Sequence, residues 1–458
     1  MDRLRVDFDR GTLRLYGTRA DAMPGVVWDD RVQGFRCAAY RYSAITARAA
    51  ESGLAVDDRV GPRSDLAVST WRMPDLRPYQ EDAVRAFHGF GSRGVISLPT
   101  GSGKSLVAIA VLAKARVPSL ILCPTRALVE QWEQLLRAFY AAPVGIVSDG
   151  VFCVRPVSVM TFESAYRRLD TLGDRFGALV VDEVHHFAGG LRAEALEMCT
   201  APVRIGLTAT APESESAAGA CLRELVGPTV CEVGIAELAG THLAELEMIR
   251  LHVRLDRGEA DDYARLYRPF AEMRRCVLRA HEDLDWGGVV RAIARSNEGR
   301  KALADYHRAV ALASFPRAKR ELCASLLSRH RDDKTLVFTG SVDDAYAIAF
   351  AHLIPPVTAE VGRAERTEIL GRFRAGRYRT LVSARVLNEG IDVPDARVGI
   401  VIAGRLGVRE HIQRIGRVLR PAPGKRALIY ELVTAGTVDD HRARARRRHL
   451  VTGAVSHV

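Results

Sequence analysis

Four residues on one short turn, Gly101, Gly103, Lys104 and Ser105, have the types needed to hold a chain of phosphates. They stand in the run VISLPTGSGKSLVAIAVLA (95–113), where an apolar stretch enters a glycine turn and a helical pattern leaves it. Glycines let backbone N–H groups turn toward phosphate oxygens, a lysine reaches the β and γ phosphates, and a serine hydroxyl at the helix start ligates Mg2+. Thr100 and Ser102 fill the turn and count among its nucleotide contacts. Leu98 stands where the strict pattern G-x-x-x-x-G-K-S has its first glycine, so the match is incomplete at that position.

A second stretch, LVVDEVHHF (179–187), puts two acids and two histidines behind an apolar run. Alone it fits a metal cage, a catalytic dyad or a nucleotide site. Beside a phosphate loop its acids have natural roles, in which Asp182 holds Mg2+ and Glu183 positions or activates the attacking water. A zinc reading fares badly, because adjacent histidines on a strand face opposite ways and no other His or Cys stands at ligand spacing. The eight cysteines include no C-x-x-C pair, so neither a zinc ribbon nor a four-cysteine iron–sulfur cluster has its spacing, and they read as reduced thiols.

These residues need a frame. A chain of 458 residues exceeds one ordinary domain, and 48% hydrophobic with 26% charged residues excludes disordered and fibrous classes. The opening MDRLRVDFDR alternates charged and apolar residues, and no stretch reaches the ~18 apolar residues of a membrane span. A cytoplasmic, nucleoid-associated protein is expected. The net charge of +11 predicts attraction to a polyanion such as nucleic acid, the alternative being a basic surface that serves solubility.

Residues 1–70 read as a small α+β module, with alternating strands (RLRVDF, TLRLYG) and then helical spacing in YRYSAITARAA. Over 71–238, short apolar runs (VISL, SLILC, SVMTF, ALVVD, RIGLTA) alternate with amphipathic segments, the pattern of a parallel sheet with crossover helices. Residues 239–314 read as almost wholly helical, with Tyr263, Tyr267, Phe270, Met273 and Val277 in a stripe that packs on a neighbour. A second alternating segment, 315–458, carries TLVFTG, RTLVSA, VGIVIAG and ALIYELV. The inferred class is α/β: two parallel-sheet domains with a helical insertion and the N-terminal module.

In order along the chain come LRPYQ (76–80), LPTGSGKS, CPTRALVEQW (123–132), DEVH (182–185), LTAT (207–210), VFTGS (337–341), VLNEGIDVPDA (386–396) and QRIGRVLR (413–420). This set resembles the motifs of superfamily 2 helicases and translocases, and DEVH with QRIGRVLRP resembles the XPB branch in its short bacterial and archaeal form. The front stretch VVWDDRVQGFRCAAYRY is similar to that branch's damage-recognition domain. The resemblance implies RecA-like folds for both sheet domains and a thumb-like role for the insertion. It also implies ATP and Mg2+ as cofactors and 3′ to 5′ movement on forked, distorted or single-stranded DNA in repair. A monomer with a structure-specific nuclease as partner is implied too.

The same resemblance places Gln80 at the adenine edge with Arg77 nearby. Arg126 and Thr161 grip phosphates of the tracked strand, Thr208 and Thr210 lie between nucleotide and DNA, and His185 couples the two sides, while His186 reads as structural. Gly390 and Asp392 would sense nucleotide and backbone, and Gln413, Arg417 and Arg420 would complete catalysis as a finger-bearing helix. The run HRARARRRH (441–449) reads as a solvated helix or a DNA backbone contact. One departure stands out: the family's Arg-Glu-Asp triplet after TAT is replaced by TATAPESESAAG, which keeps acids at Glu213 and Glu215 but has no arginine. That puts strand separation in doubt and leaves translocation intact. An ATP-gated clamp that recruits a nuclease, or an RNA helicase, are the competing functions.

Overall fold

The computed structural model describes residues 3–61, 70–187, 193–238, 241, 245–281, 283–384, 396–402, 426–447 and 455–457. The chain divides into two compact units, residues 1–233 and 234–458.

The first unit opens with β1 (Arg3–Asp9), β2 (Thr12–Gly17), β3 (Val27–Asp29), β4 (Gly34–Ala38), α1 (Tyr42–Glu51) and β5 (Ala55–Asp58), and its sheet runs β3-β4-β2-β1-β5. Period-two alternation buries Leu4, Val6, Leu13 and Leu15 on one face, and Ile45 and Ala49 of α1 cover them. Arg10 and Gly11 join β1 to β2 with positive φ angles of 47° and 78°, the mirror-image turn that matches strand twist. Tyr40 and Arg41 both reach Glu224 and so fasten this module to the larger sheet.

That sheet comprises β6 (Arg93–Ser97), β7 (Ser119–Cys123), β8 (Gly145–Ser148), β9 (Val151–Cys153), β10 (Val157–Thr161), β11 (Ala178–Asp182), β12 (Val203–Thr208) and β13 (Thr229–Glu232). Its order is β13-β6-β12-β11-β7-β10-β8-β9, parallel throughout except for the β8–β9 hairpin. The helices are α2 (Pro78–Gly89), α3 (Lys104–Ala115), α4 (Arg126–Phe139), α5 (Phe162–Leu172), the short α6 (Glu194–Glu197) and α7 (Ala217–Leu225). Alternation sorts the strand side chains into two cores. Leu120, Leu122, Leu179 and Val181 meet α5, α6 and α7, whereas Ile121, Cys123, Ala178 and Val180 meet α2, α3 and α4. A strand apolar on both faces is what a doubly covered parallel sheet requires. Ligands in such sheets bind beyond the carboxyl ends of the strands. Register brings three of those ends together, pairing Ser97 with Thr208 and Leu207 with Asp182.

The second unit holds the short α8 (Ile235–Leu238), β14 (Glu245–Val253), α9 (Arg257–Ala280), α10 (Trp286–Ile293), α11 (Asn297–Ser314) and α12 (Arg317–Arg329). These are followed by β15 (Thr335–Thr339), α13 (Val342–His352), β16 (Pro356–Val357), α14 (Arg363–Arg374), β17 (Thr380–Ala384), β18 (Val398–Val401), β19 (Arg426–Thr434), α15 (Val438–Arg447) and β20 (Val455–His457). Its parallel sheet runs β16-β17-β15-β18-β19-β14-β20.

β14 corrects the expectation that 239–314 is almost wholly helical. Residues 245–253 are a strand in register with β19 over its whole length, and helix begins only at Arg257. The misleading residue is Arg250, which reads as a solvent-facing position but is buried against Glu431 directly opposite. The aromatic stripe behaves as expected: Phe270 is buried with Val289, Ile293 and Tyr306, and Tyr267, Met273 and Val277 pack around them.

Candidate active site

The phosphate-loop residues lie between β6 and α3. Gly101 and Gly103 take φ values of +87° and +78°, a left-handed region that other residues enter at a cost, and Gly103 caps α3. Leu98 is absent from that region and is wholly buried. Its N–H donates to Thr208 O at 3.0 Å and its carbonyl accepts from Lys104 Nζ at 2.9 Å, so this position needs no glycine. Lys104 also donates to Pro99 O at 3.2 Å, which arches the side chain over the loop. The Ser102 hydroxyl closes the turn on Pro99 O at 2.6 Å, Thr100 lies within it, and Ser105 sits in the first turn of α3.

Gln80 and Tyr79, both on the first turn of α2, converge on the carbonyl of Ser102. Tyr79 Oη donates at 2.6 Å and Gln80 Nε2 at 2.7 Å, while Gln80 Oε1 accepts from the Arg77 N–H at 2.9 Å. Gln80 is buried, with both ends of its amide bonded to protein, so it stands directly beneath the phosphate loop. The fit is close, since a Cβ on Gly103 would stand 2.5 Å from Gln80 Nε2. Tyr79 has no role in the sequence reading, although a tyrosine beside the glutamine in LRPYQ was there to be noticed.

Asp182 ends β11 with its carboxylate buried. Its Oδ2 accepts from Trp132 Nε1 at 2.9 Å and its Oδ1 from the Glu183 N–H at 3.0 Å. Burial pushes this carboxyl above its ordinary range, and the Trp132 donor, the Lys104 charge and the Glu183 N–H oppose that push. Glu183 follows with φ of +50°, strain of the kind that concentrates at functional sites. The histidines correct an expectation. They lie on a short helical turn, Val184–Phe187, and not on the strand, so their rings stand 4.4 Å apart instead of facing opposite ways. His185 Nδ1 lies 3.2 Å from Thr208 Oγ1 and 3.5 Å from Glu183 Oε2, whereas His186 packs against Phe162.

Thr208, expected between nucleotide and DNA, is wholly buried. Its hydroxyl donates to Thr210 O at 2.9 Å and faces His185, which makes it an internal link between β11 and β12; the turn it closes presents Thr210, half-buried. Arg126 and Thr161 do come together, lining one cleft of about 530 Å3 with Phe152, Arg167 and Arg168. The Arg126 guanidinium pairs there with Asp149 and, at 3.4 Å, with Glu130, and the Thr161 hydroxyl caps α5 by accepting from the Ser164 N–H at 3.3 Å. Gly390, Asp392, Gln413, Arg417 and Arg420 lie outside the described residues. Among the described residues no helix is long and apolar enough to cross a membrane, and no group of three His, Cys, Asp or Glu gathers as a metal cage.

Three family patterns match the chain: the type III restriction enzyme res subunit over 73–213, the helicase conserved C-terminal domain over 318–422, and the xeroderma pigmentosum group B helicase damage recognition domain over 6–60. The DNA 3′-5′ translocase XPB2 of Sulfurisphaera tokodaii is 34% identical over 427 residues, covering 93% of this chain and 96% of its own. The chain belongs to the XPB family of superfamily 2 helicases. Within that family the DNA 3′-5′ helicase XPB of Kineococcus radiotolerans is 30% identical over 84% of this chain, which spans 64% of that longer protein. S. cerevisiae Dbp5 bound to RNA and ADP BeF3 shares the fold, with a TM-score of 0.56 and 15% identity over 83% of this chain and 89% of its own. Two RecA-like parallel-sheet domains and a small N-terminal module are therefore the architecture of this XPB-family protein.

Proposed function

We propose that this protein is an ATP hydrolase that drives 3′ to 5′ translocation on DNA, in the service of repair. The observation that carries the reading is the convergence at one sheet edge: a glycine-shaped loop with Lys104, the buried acid Asp182 beside the strained Glu183, and the His185–Thr208 link lie on adjacent strand ends. The residues fit ATP with Mg2+. Gly101 and Gly103 shape an anion-binding turn at a helix start, and Ser105 and Asp182 are oxygen donors of the hard type that Mg2+ takes. Bound Mg2+ would neutralise charge that develops on the phosphates.

The roles of the chain's own residues then follow. Lys104 exchanges its loop carbonyls for phosphate oxygens, Asp182 presents a carboxylate, and Glu183 orients water. His185 and Thr208 pass the state of that site to the turn carrying Thr210. Arg126 trades Asp149 for a strand phosphate, with Thr161 in the same cleft. Gly390, Asp392, Gln413, Arg417 and Arg420 are proposed to complete the site, the two arginines as fingers.

Translocation without strong strand separation is the favoured output, because the turn after Thr210 carries Glu213 and Glu215 without the family's arginine. The protein would act as a monomer at the nucleoid, beside a structure-specific nuclease. Displacement of a triplex strand and opening of a fork, measured with ATP on the same DNA, test this. The expected result is triplex displacement that exceeds fork opening. Binding that needs ATP but displaces neither strand would favour a clamp, and activity on RNA alone would favour an RNA helicase.

A further inference from the structure

The helix α4 begins at Arg126, in the cleft proposed for the tracked strand, and carries Trp132 less than two turns later on its buried face. Val129, Trp132 and Leu136 recur at helical spacing and sink into the core shared with α2 and α3, which fixes the indole in place. Trp132 is 2% exposed, and its one polar atom donates at 2.9 Å to Asp182 Oδ2. The other oxygen, Oδ1, takes the Glu183 N–H at 3.0 Å. Two donors from different elements, one on each oxygen, set both the tilt and the plane of the carboxylate. The remaining lone pairs of that carboxylate are the ones left to a metal.

We propose that Trp132 is a positioning residue for Asp182: its indole N–H holds the magnesium-facing carboxylate in its binding orientation. This rests on the reading of Asp182 as the Mg2+ ligand. A tryptophan that merely filled the core would also want an acceptor for its buried N–H, so the distinction lies in what the acid does once the donor is gone. Donors behind metal-ligating groups commonly alter metal affinity about 10- to 100-fold when removed. Shape and hydrogen bond can be separated here, because 3-benzothienylalanine keeps the indole outline and has sulfur in place of N–H.

The test compares wild type, Trp132→Phe and the 3-benzothienylalanine variant at position 132. Thermal unfolding reports packing, and binding of a fluorescent ATP analogue is titrated with Mg2+ and repeated in EDTA. Expected for the benzothienyl variant are a melting point no lower than that of Trp132→Phe, unchanged binding in EDTA and an Mg2+ midpoint raised about 10-fold or more. Trp132→Phe should raise the midpoint similarly even if its melting point drops. A wild-type midpoint in the benzothienyl variant would overturn the proposal, as would an equal loss of binding with and without Mg2+. Wild-type protein whose binding of the analogue ignores Mg2+ would instead defeat the nucleotide-site reading itself.

Discussion

The two parallel sheets treat buried charge differently. In the second unit, among the described residues, the buried cations have their opposites within reach. Arg250 donates to Glu431 Oε2 at 2.6 and 2.8 Å across β14 and β19, and Lys319 donates to Asp439 Oδ2 at 2.7 Å and to Ile402 O at 2.7 Å. In the first unit Asp182 takes its hydrogen bonds from neutral N–H groups, and Lys104 acts on it through space while bonding to carbonyls. Balanced pairs secure the second sheet, whereas the buried acid without a bonded cation stands at the carboxyl edge, where the nucleotide site is proposed. Arg204 sharpens the rule. It too is buried without an acid, and burial lowers its guanidinium to about 10, but four backbone carbonyls accept from it. It also lies toward the amino end of β12, away from the ligand edge. An unbalanced charge is therefore informative only where the topology opens a site.

Glu183→Gln should have the largest effect on this contrast. It keeps size and removes the basic carboxylate, so ATP binding should persist while hydrolysis falls about 10²- to 10⁴-fold in single-turnover assays. Normal hydrolysis would mean that the strained Glu183 does not orient water.

On the second sheet, Glu431→Gln leaves Arg250 buried without its counter-charge and should cost about 3–5 kcal/mol in chemical denaturation. The double variant Arg250→Met/Glu431→Leu should recover most of that loss. If the single variant is as stable as wild type, the pair is not the structural element the contrast makes it.

Arg126→Ala should have the smallest effect. Its exposed pairs with Asp149 and Glu130 contribute little to stability, so the melting point should hold. The slope of log affinity for duplex DNA against log salt should fall by about 0.9, one phosphate contact. An unchanged slope would mean that Arg126 makes no phosphate contact.

Much of this was legible in the sequence, for reasons that differ between regions. Apolar runs such as SLILC and ALVVD named their strands because a doubly covered parallel strand is apolar on both faces, and β7 and β11 lie where those runs lie. β14 escaped because a buried ion pair hides a strand's alternation: Arg250 looks outward in the sequence and points inward in the sheet. The β8–β9 hairpin escaped as well, although Asp149-Gly150, with φ of 45° and 85°, is a hairpin turn signal in itself. At the proposed site, residue types pointed to Lys104, Asp182 and Glu183, since their chemistry is local to each motif. The partners that arrange them were hidden, because Trp132 reaches Asp182 across fifty positions of sequence and Tyr79 reaches Ser102 across twenty-three. Spacing shows which groups can react, while only the packing of helices on a sheet shows which neighbours aim them.

The most direct test of the nucleotide site is the rate of ATP hydrolysis with and without DNA, for wild type and for Lys104→Ala with its fold checked by circular dichroism. Hydrolysis strongly stimulated by DNA in wild type and abolished in the variant is expected, with the far-ultraviolet spectrum unchanged. Hydrolysis indifferent to DNA, or undiminished without Lys104, would contradict a DNA-driven ATPase built on this loop.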